Sequence, residues 1–324
     1  MERGTGVQVI KNSKKYMATT ETGNWLNQYV APQLLLEFKN YKDDFIGVLP
    51  GVNPSAITAD GIRFNKLINN VGFYVNNTAD FVAKKMSGSK TFVAWEKYDT
   101  DPTEVDDAEI RNLNYDKRSM VRVAHTQTIK MGLRDHVMFK LAPEVSDNAD
   151  MPVMRTTGTL IGTRHRLSFA DLIKYLELIK GLNLPDESQY FMILCPEHST
   201  DLMLDRDSAA YFADKNIFFD VTTGKVKSVM GFKFFENNAV LAYAADGTKK
   251  AKGAALGSTD RRASLFFYAP NALYHIDSVK ILYSPETQDT KSANPKSEFR
   301  LQAYGLVDRV VDYGFGAIVS GIVV

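Results

Sequence analysis

The chain of 324 residues has one cysteine, Cys195. One cysteine closes no internal disulfide, so the fold must stand without a staple, and a reducing compartment fits. An excess of one charge is also missing: 39 Lys and Arg stand against 38 Asp and Glu, a net of +1. Bulk charge therefore does not make the chain a nucleic-acid binder, although a local basic face is compatible with it. No window reaches 18 uncharged apolar residues, so no membrane span is expected. The opening "MERGTGVQVIKNSKKY" lacks the apolar stretch of a signal peptide, which predicts an intracellular product.

Motifs of chemistry are equally scarce. The histidines at 125, 136, 165, 198 and 275 form no HExxH and no Cys/His cluster, so no metal is expected. "GFGAIVSG" (314–321) leads into no helix, and "GTKKAKG" (247–253) lacks the ending of a phosphate-binding loop, so no cofactor is expected. Cys195 and His198 are the one nucleophile-and-base candidate. A buried structural thiol beside a surface histidine is the plainer reading, since no third catalytic partner follows. Paired carboxylates occur only in polar loops, where raised pKa values are least expected. The chain is therefore not expected to be an enzyme.

What is present is a sequence of weak but ordered structural signals. Residues 25–41 carry two helical patterns, with Trp25, Leu26, Tyr29 and Val30 and then Leu34, Leu35, Phe38 and Tyr41. Residues 62–123 read mainly as strands, including "IRFNKLI", "KTFVAWEKY" and "NYDKRSMVRVAH". So much strand with so little apolar filling suits an arm that packs on something else. Its tip is expected at 99–109, where Asp99, Asp101, Glu104, Asp106, Asp107 and Glu109 make six acids in eleven residues. A helix is predicted over 126–143 from the stripe Ile129, Leu133, Val137 and Leu141, with Gly132 as a weak point.

The next helix is bounded by Ser168 with Asp171 as a capping box and by Gly181 as its C-terminal cap. "YFMILC" (190–195) reads as a buried strand, and Pro196 opens another helix. Lys249, Lys250, Lys252, Arg261 and Arg262 make a basic loop without interleaved aromatics, read as a solvated face. The last twelve residues, "YGFGAIVSGIVV", carry no charge, and their branched side chains suit a sheet. The sum is an α+β fold rich in antiparallel strands.

The order of these parts resembles the major capsid proteins of tailed bacteriophages, the Hong Kong 97-type shell fold. "VAWEKYDTDPTEVDDAEIRNLNYDKRSMV" (93–121) is similar to the family's extended loop, and "HTQTIKMGLRDHVMFKLAPE" (125–144) to its spine helix. Residues 167–204 resemble a helix–strand–helix stretch of the axial domain, and 224–238 and 303–324 resemble later strands. The resemblance implies an N-terminal arm (1–56), an extended β loop (57–123), a peripheral domain (124–166 and 286–324) with spine helix 126–143, and an axial domain (167–285). It implies self-assembly into pentamers and hexamers of an icosahedral head shell around double-stranded DNA, in a virion assembled in the host cytoplasm. DNA contact would be non-specific, and separate scaffolding, portal and decoration proteins have a place. The acidic tip would face basic residues of a neighbour, for which Arg111, Lys117, Arg118 and Arg122 are local candidates. The C-terminal run would finish against the stripe of the spine helix. Two other readings share the signals: an encapsulin-type compartment of the same fold, or another phage structural protein such as a tail subunit.

Overall fold

In the computed structural model, the described residues are 44–67, 75–78, 80, 88–106, 117–144, 149–205, 219–220, 225–226 and 231–322. The two helical patterns expected at 25–41 lie outside them.

A hairpin comes first. Strands β1 (Gly61–Leu67) and β2 (Gly88–Ala94) pair antiparallel through seven registered positions. The chain then turns at Trp95 and changes sheet. Trp95 donates its backbone N–H to Asp60 O (3.3 Å) and its indole N–H to Thr58 O (3.3 Å). The stretch read as one strand, "KTFVAWEKY", is thus split between two sheets. Its second half is β3 (Glu96–Asp99), followed by β4 (Thr103–Asp106).

Helix α1 (Lys117–Leu141) is 25 residues long. The expected helix began at 126, and residues 114–125 were expected as strand, so the structure corrects that boundary. Val121 and Val123 alternate with charges like a strand, but they lie on the first turns of the helix, with Val123 exposed. Then come β5 (Val153–Arg155), α2 (Phe169–Gly181), β6 (Tyr190–Leu194) and α3 (Pro196–Leu204). The α2 capping box forms as the sequence predicts, with Ser168 and Asp171 bonding each other's backbone. Gly181 is the last helical residue, and Leu182 takes the cap position. The remaining labelled strands are β7 (Lys233–Glu236), β8 (Arg261–Tyr268), β9 (Ala272–Ser284), β10 (Lys296–Arg309), β11 (Phe315–Val319) and β12 (Gly321–Ile322).

Two sheets organise the body. One runs β7-β6-β8-β11-β5, with the short strand Ala242–Tyr243 beside β8. The other is built on the long antiparallel pair β9/β10, with β3 and β4 both laid along β10. The domain boundary expected at 285/286 falls between these two paired strands, and β11 joins the other sheet.

Helix α1 ties the sheets together. Ile129 and Leu133 pack with Ile276, Val279, Ile281, Leu301 and Ala303 of the β9/β10 sheet. Val137 and Leu141, four and eight residues further along the same stripe, pack with Phe191, Leu265, Phe315, Ala317 and Val319 of the other. All four stripe residues are 4% exposed or less. Among the described residues the C-terminal run shares a core with Val137 and Leu141 and is not in the cluster of Ile129 and Leu133.

The C-terminal end of α1 is closed by the loop expected to be solvated. The Lys249 ammonium donates to Phe139 O (3.0 Å), Ala142 O (3.3 Å) and Glu144 Oε1 (2.6 Å), and lies 4.1 Å from the Phe139 ring centre. A cation on the last carbonyls of a helix satisfies orphan acceptors and complements the dipole. Lys250 pairs with Asp260 (3.1 Å), and Arg261 donates to Ser258 O and Thr163 O. Three of the five basic side chains thus have partners within the chain besides Lys252, described below. Lys249→Met is expected to cost about 2 kcal/mol, the scale of hydrogen bonds to a buried charge. Urea denaturation checks this; an unchanged midpoint would contradict it.

Candidate assembly surfaces

Cys195 and His198 can be settled first. Cys195 lies in the main hydrophobic core, fully buried, and burial pushes its thiol up to about 11, the opposite of an activated nucleophile. His198, expected on the surface, is fully buried as well. Its Nδ1 bonds Ser264 Oγ (2.7 Å) and its Nε2 bonds Ser320 Oγ (2.8 Å), which ties α3 to β8 and to the C-terminal run. The group is a buried polar clamp.

That clamp is acid-sensitive. Burial lowers the His198 pKa to about 4, only partly opposed by the charge of Asp201. A buried neutral histidine binds its proton later than the unfolded one does. Stability is therefore lost as pH falls from about 6.5 towards 4. At about 1.4 kcal/mol per pKa unit the loss is on the order of 3 kcal/mol. Glu96 acts in a lower window. Burial raises its pKa, but hydrogen bonds from His136 (2.6 Å), Lys140 (2.8 Å) and Tyr98 (2.9 Å) outweigh this and hold it at about 2. Its contribution, present above the ordinary carboxylate range, is lost only as pH drops from about 4.5 to 2. Denaturation midpoints at pH 7, 5 and 4 should fall stepwise; a flat profile would contradict the clamp.

The described part of the acidic stretch, 99–106, lies along the sheet and does not form a tip. β3 and β4 run along β10 in register, with Asp99 opposite Gln302, Glu104 opposite Glu298 and Asp106 opposite Lys296. Asp99 accepts from Gln302 (2.9 Å) and pairs with Lys97 (2.9 Å), and Glu104 pairs with Lys296 (2.8 Å). These pairs are largely exposed and add little to stability. The opposite face of the same strands meets α1, through Glu96 as above and through Thr100 and Thr103, which bond the two ring nitrogens of His125. Asp101 is exposed between the strands. Arg122 is half-buried on α1, and Lys117 and Arg118 are in its first turn. Asp107, Glu109 and Arg111 lie outside the described residues. The partners that sequence reasoning missed, Lys296 and Gln302, are about 190–200 residues away, and only the strand register reveals them.

The β1/β2 hairpin forms a sheet apart from the two of the body, with the short strand Ile57–Thr58 beside β1. Ile62 roots it, 1% exposed, in a cluster with Leu273 and Leu306 of the β9/β10 pair. Beside it, Phe92 is 48% exposed, with the Arg63 guanidinium 5.3 Å from its ring centre. A sheet this small is marginal in water by itself.

Among the described residues no group of His, Cys, Asp and Glu could hold a metal, and no helix is long and apolar enough to cross a membrane.

No known sequence family matches the chain, and no curated protein is similar in sequence. Solved structures do match. The cyanophage Pam1 capsid aligns with a TM-score of 0.61 at 11% identity, over 84% of this chain and 88% of that one. The capsid of Ralstonia phage GP4 gives 0.59 at 11% identity, over 86% and 88%. The mature capsid of bacteriophage PhiM1 gives 0.57 at 10% identity, over 81% and 82%. At such identities the likeness is one of fold. The chain has the α+β fold of phage capsid subunits, the Hong Kong 97-type architecture that the order of its sequence elements resembles.

Proposed function

We propose that this chain is the major capsid protein of a tailed phage, building a closed head shell from pentamers and hexamers around double-stranded DNA. The observation that carries the reading is the match to phage capsid subunits over more than four-fifths of both chains. The hairpin supports it from physics. An arm with an exposed Phe92 and a single buried root gains its packing on a neighbouring copy. In a closed shell many modest contacts act together, so no single one need be strong.

The role is structural and not catalytic. The candidate nucleophile Cys195 is sealed in the core with a raised pKa, which favours this. We read the chain on the family plan as an arm (1–56), an extended loop from 57 to where α1 begins at Lys117, peripheral parts and an axial part. The acids Asp99, Glu104 and Asp106 remain candidates for contact between subunits only through the outer face of the β10 sheet. The near-neutral net charge suits enclosure of DNA without sequence preference, by weak and salt-dependent contact. Assembly would take place in the host cytoplasm, with separate scaffolding, portal and decoration proteins.

Sedimentation velocity of the purified chain tests the reading. Very large particles, or discrete pentamers and hexamers, are expected. A monomer that persists at all salt and crowding conditions, and with candidate scaffolding partners added, would overturn it.

A further inference from the structure

Helix α1 has a second face besides its buried stripe. Met120, Val123, Ala124, Gln127, Thr128 and Met131 are all exposed, and none carries a charge. The solvent face of a surface helix ordinarily carries charge. Helix α2 follows that rule, with Lys174, Glu177 and Lys180 on its exposed side. On α1 the rule fails over three turns, a length of about 18 Å at 1.5 Å per residue. A helix without charge on two faces is suited to being covered on both.

The spacing gives the shape of the cover. Met120, Ala124, Gln127 and Met131 are 4, 3 and 4 residues apart, the alternation of a coiled-coil seam. Beside them Ala124, Thr128 and Gly132 follow at intervals of four, a shallow row next to a ridge of longer side chains. Thr128 Oγ1 already donates to Ala124 O (2.9 Å), so it can lose water without leaving a donor unmet. Glycine weakens a helix interior, yet a Cβ on Gly132 would meet nothing within 4 Å, so packing within the chain does not require it. A second helix lying close along α1 makes use of the missing side chain.

Charge selects the partner. Helix α1 holds six Lys and Arg and a single acid, Asp135, which is itself paired with Arg134 (3.4 Å). By helical spacing Lys130 and Arg134 border the uncharged face on one side. On the other side Lys252 reaches in to donate to Gly132 O (3.0 Å). The strip is thus uncharged along its middle and basic along both borders.

We propose that this face of α1 docks an amphipathic helix with acidic flanks, carried by a separate assembly partner. Such a helix buries its apolar side on the exposed methionines, whose flexible side chains adapt to what they meet. A second copy of α1 would bring six more cations against these, and like charges across an interface are costly. Duplex DNA would use the cations and leave the uncharged strip uncovered. The partner's part in assembly rests on the shell reading, and the docking itself does not.

Fluorescence anisotropy of labelled peptides with the full-length, unassembled chain tests this. Three designed helical peptides of equal length are compared: a leucine seam with glutamate flanks, a leucine seam with lysine flanks, and a serine seam with glutamate flanks. The first should bind about tenfold or more tighter than either of the others. Met120→Asp with Met131→Asp should weaken it by about tenfold or more. Both methionines are more than half exposed, so the fold is not at stake, and an unchanged circular dichroism spectrum checks this. Equal affinity for the three peptides, or binding unaffected by the two substitutions, would overturn the proposal. A parent chain that sediments as a dimer and is made monomeric by the same substitutions would give the face to a second copy and overturn it too. The assay needs no shell, so its failure and a failure of the shell reading are separate results.

Discussion

A chain ending at Ala317, without residues 318–324, is expected to yield no soluble folded protein. β11 is an inner strand, between antiparallel β8 and parallel β5. Its two faces are buried against different partners: Ala317 and Val319 towards α1, and Ile318 towards α2 beside Leu172, Tyr175 and Ile179. Ile318 and Val319 are no more than 1% exposed, so their removal forfeits about 1.5–3 kcal/mol each. The cut also takes Ser320, leaving His198 Nε2 buried without its partner, a further 1–3 kcal/mol or so. β12, which pairs with Arg164 and His165, goes with it. The sum approaches the whole stability of an ordinary domain, roughly 5–15 kcal/mol. Circular dichroism and thermal melting of the truncated chain check this. A soluble product with the parent's cooperative transition would contradict it.

Gly316→Ala is expected to cost about 3 kcal/mol or more. A Cβ at 316 would overlap the Tyr175 hydroxyl and lie 2.6 Å from Pro152 O. Tyr175 is fully buried and cannot swing aside, and Pro152 belongs to the backbone leading into β5. Overpacking a close-packed core typically costs 1–3 kcal/mol, and here two neighbours must yield together. Tyr175→Phe in the same chain removes the hydroxyl and should recover part of the loss, while the Pro152 carbonyl retains the rest. Chemical denaturation of the single and double variants reads the cycle. A Gly316→Ala chain as stable as the parent would contradict the packing described.

These two expectations show which parts of the fold the sequence carried. The uncharged C-terminal run announced a buried strand, and its glycines have separate reasons. Gly316 lets Tyr175 and β5 approach, and Gly314 takes a positive φ of 82° that L side chains rarely adopt. The Ser168/Asp171 box and the all-apolar "YFMIL" were equally legible, because each is a local pattern with one physical solution. The errors share a different cause. Asp99, Glu104 and Asp106 looked like a solvated tip because their sheet partners on β10 are close to 200 residues away. Met120, Val121 and Val123 looked like strand because Met120 and Val123 are exposed on α1 and blur its stripe. His198 looked superficial because Ser264 and Ser320, which make its burial tolerable, are 66 and 122 residues distant. Lys249 looked solvated because the helix end it caps is over a hundred residues earlier.

The central claim is that this subunit closes into a shell, and negative-stain electron microscopy of the purified chain tests it most directly. The account predicts closed isometric particles, or the pentamers and hexamers from which they form. Open helical tubes would contradict it.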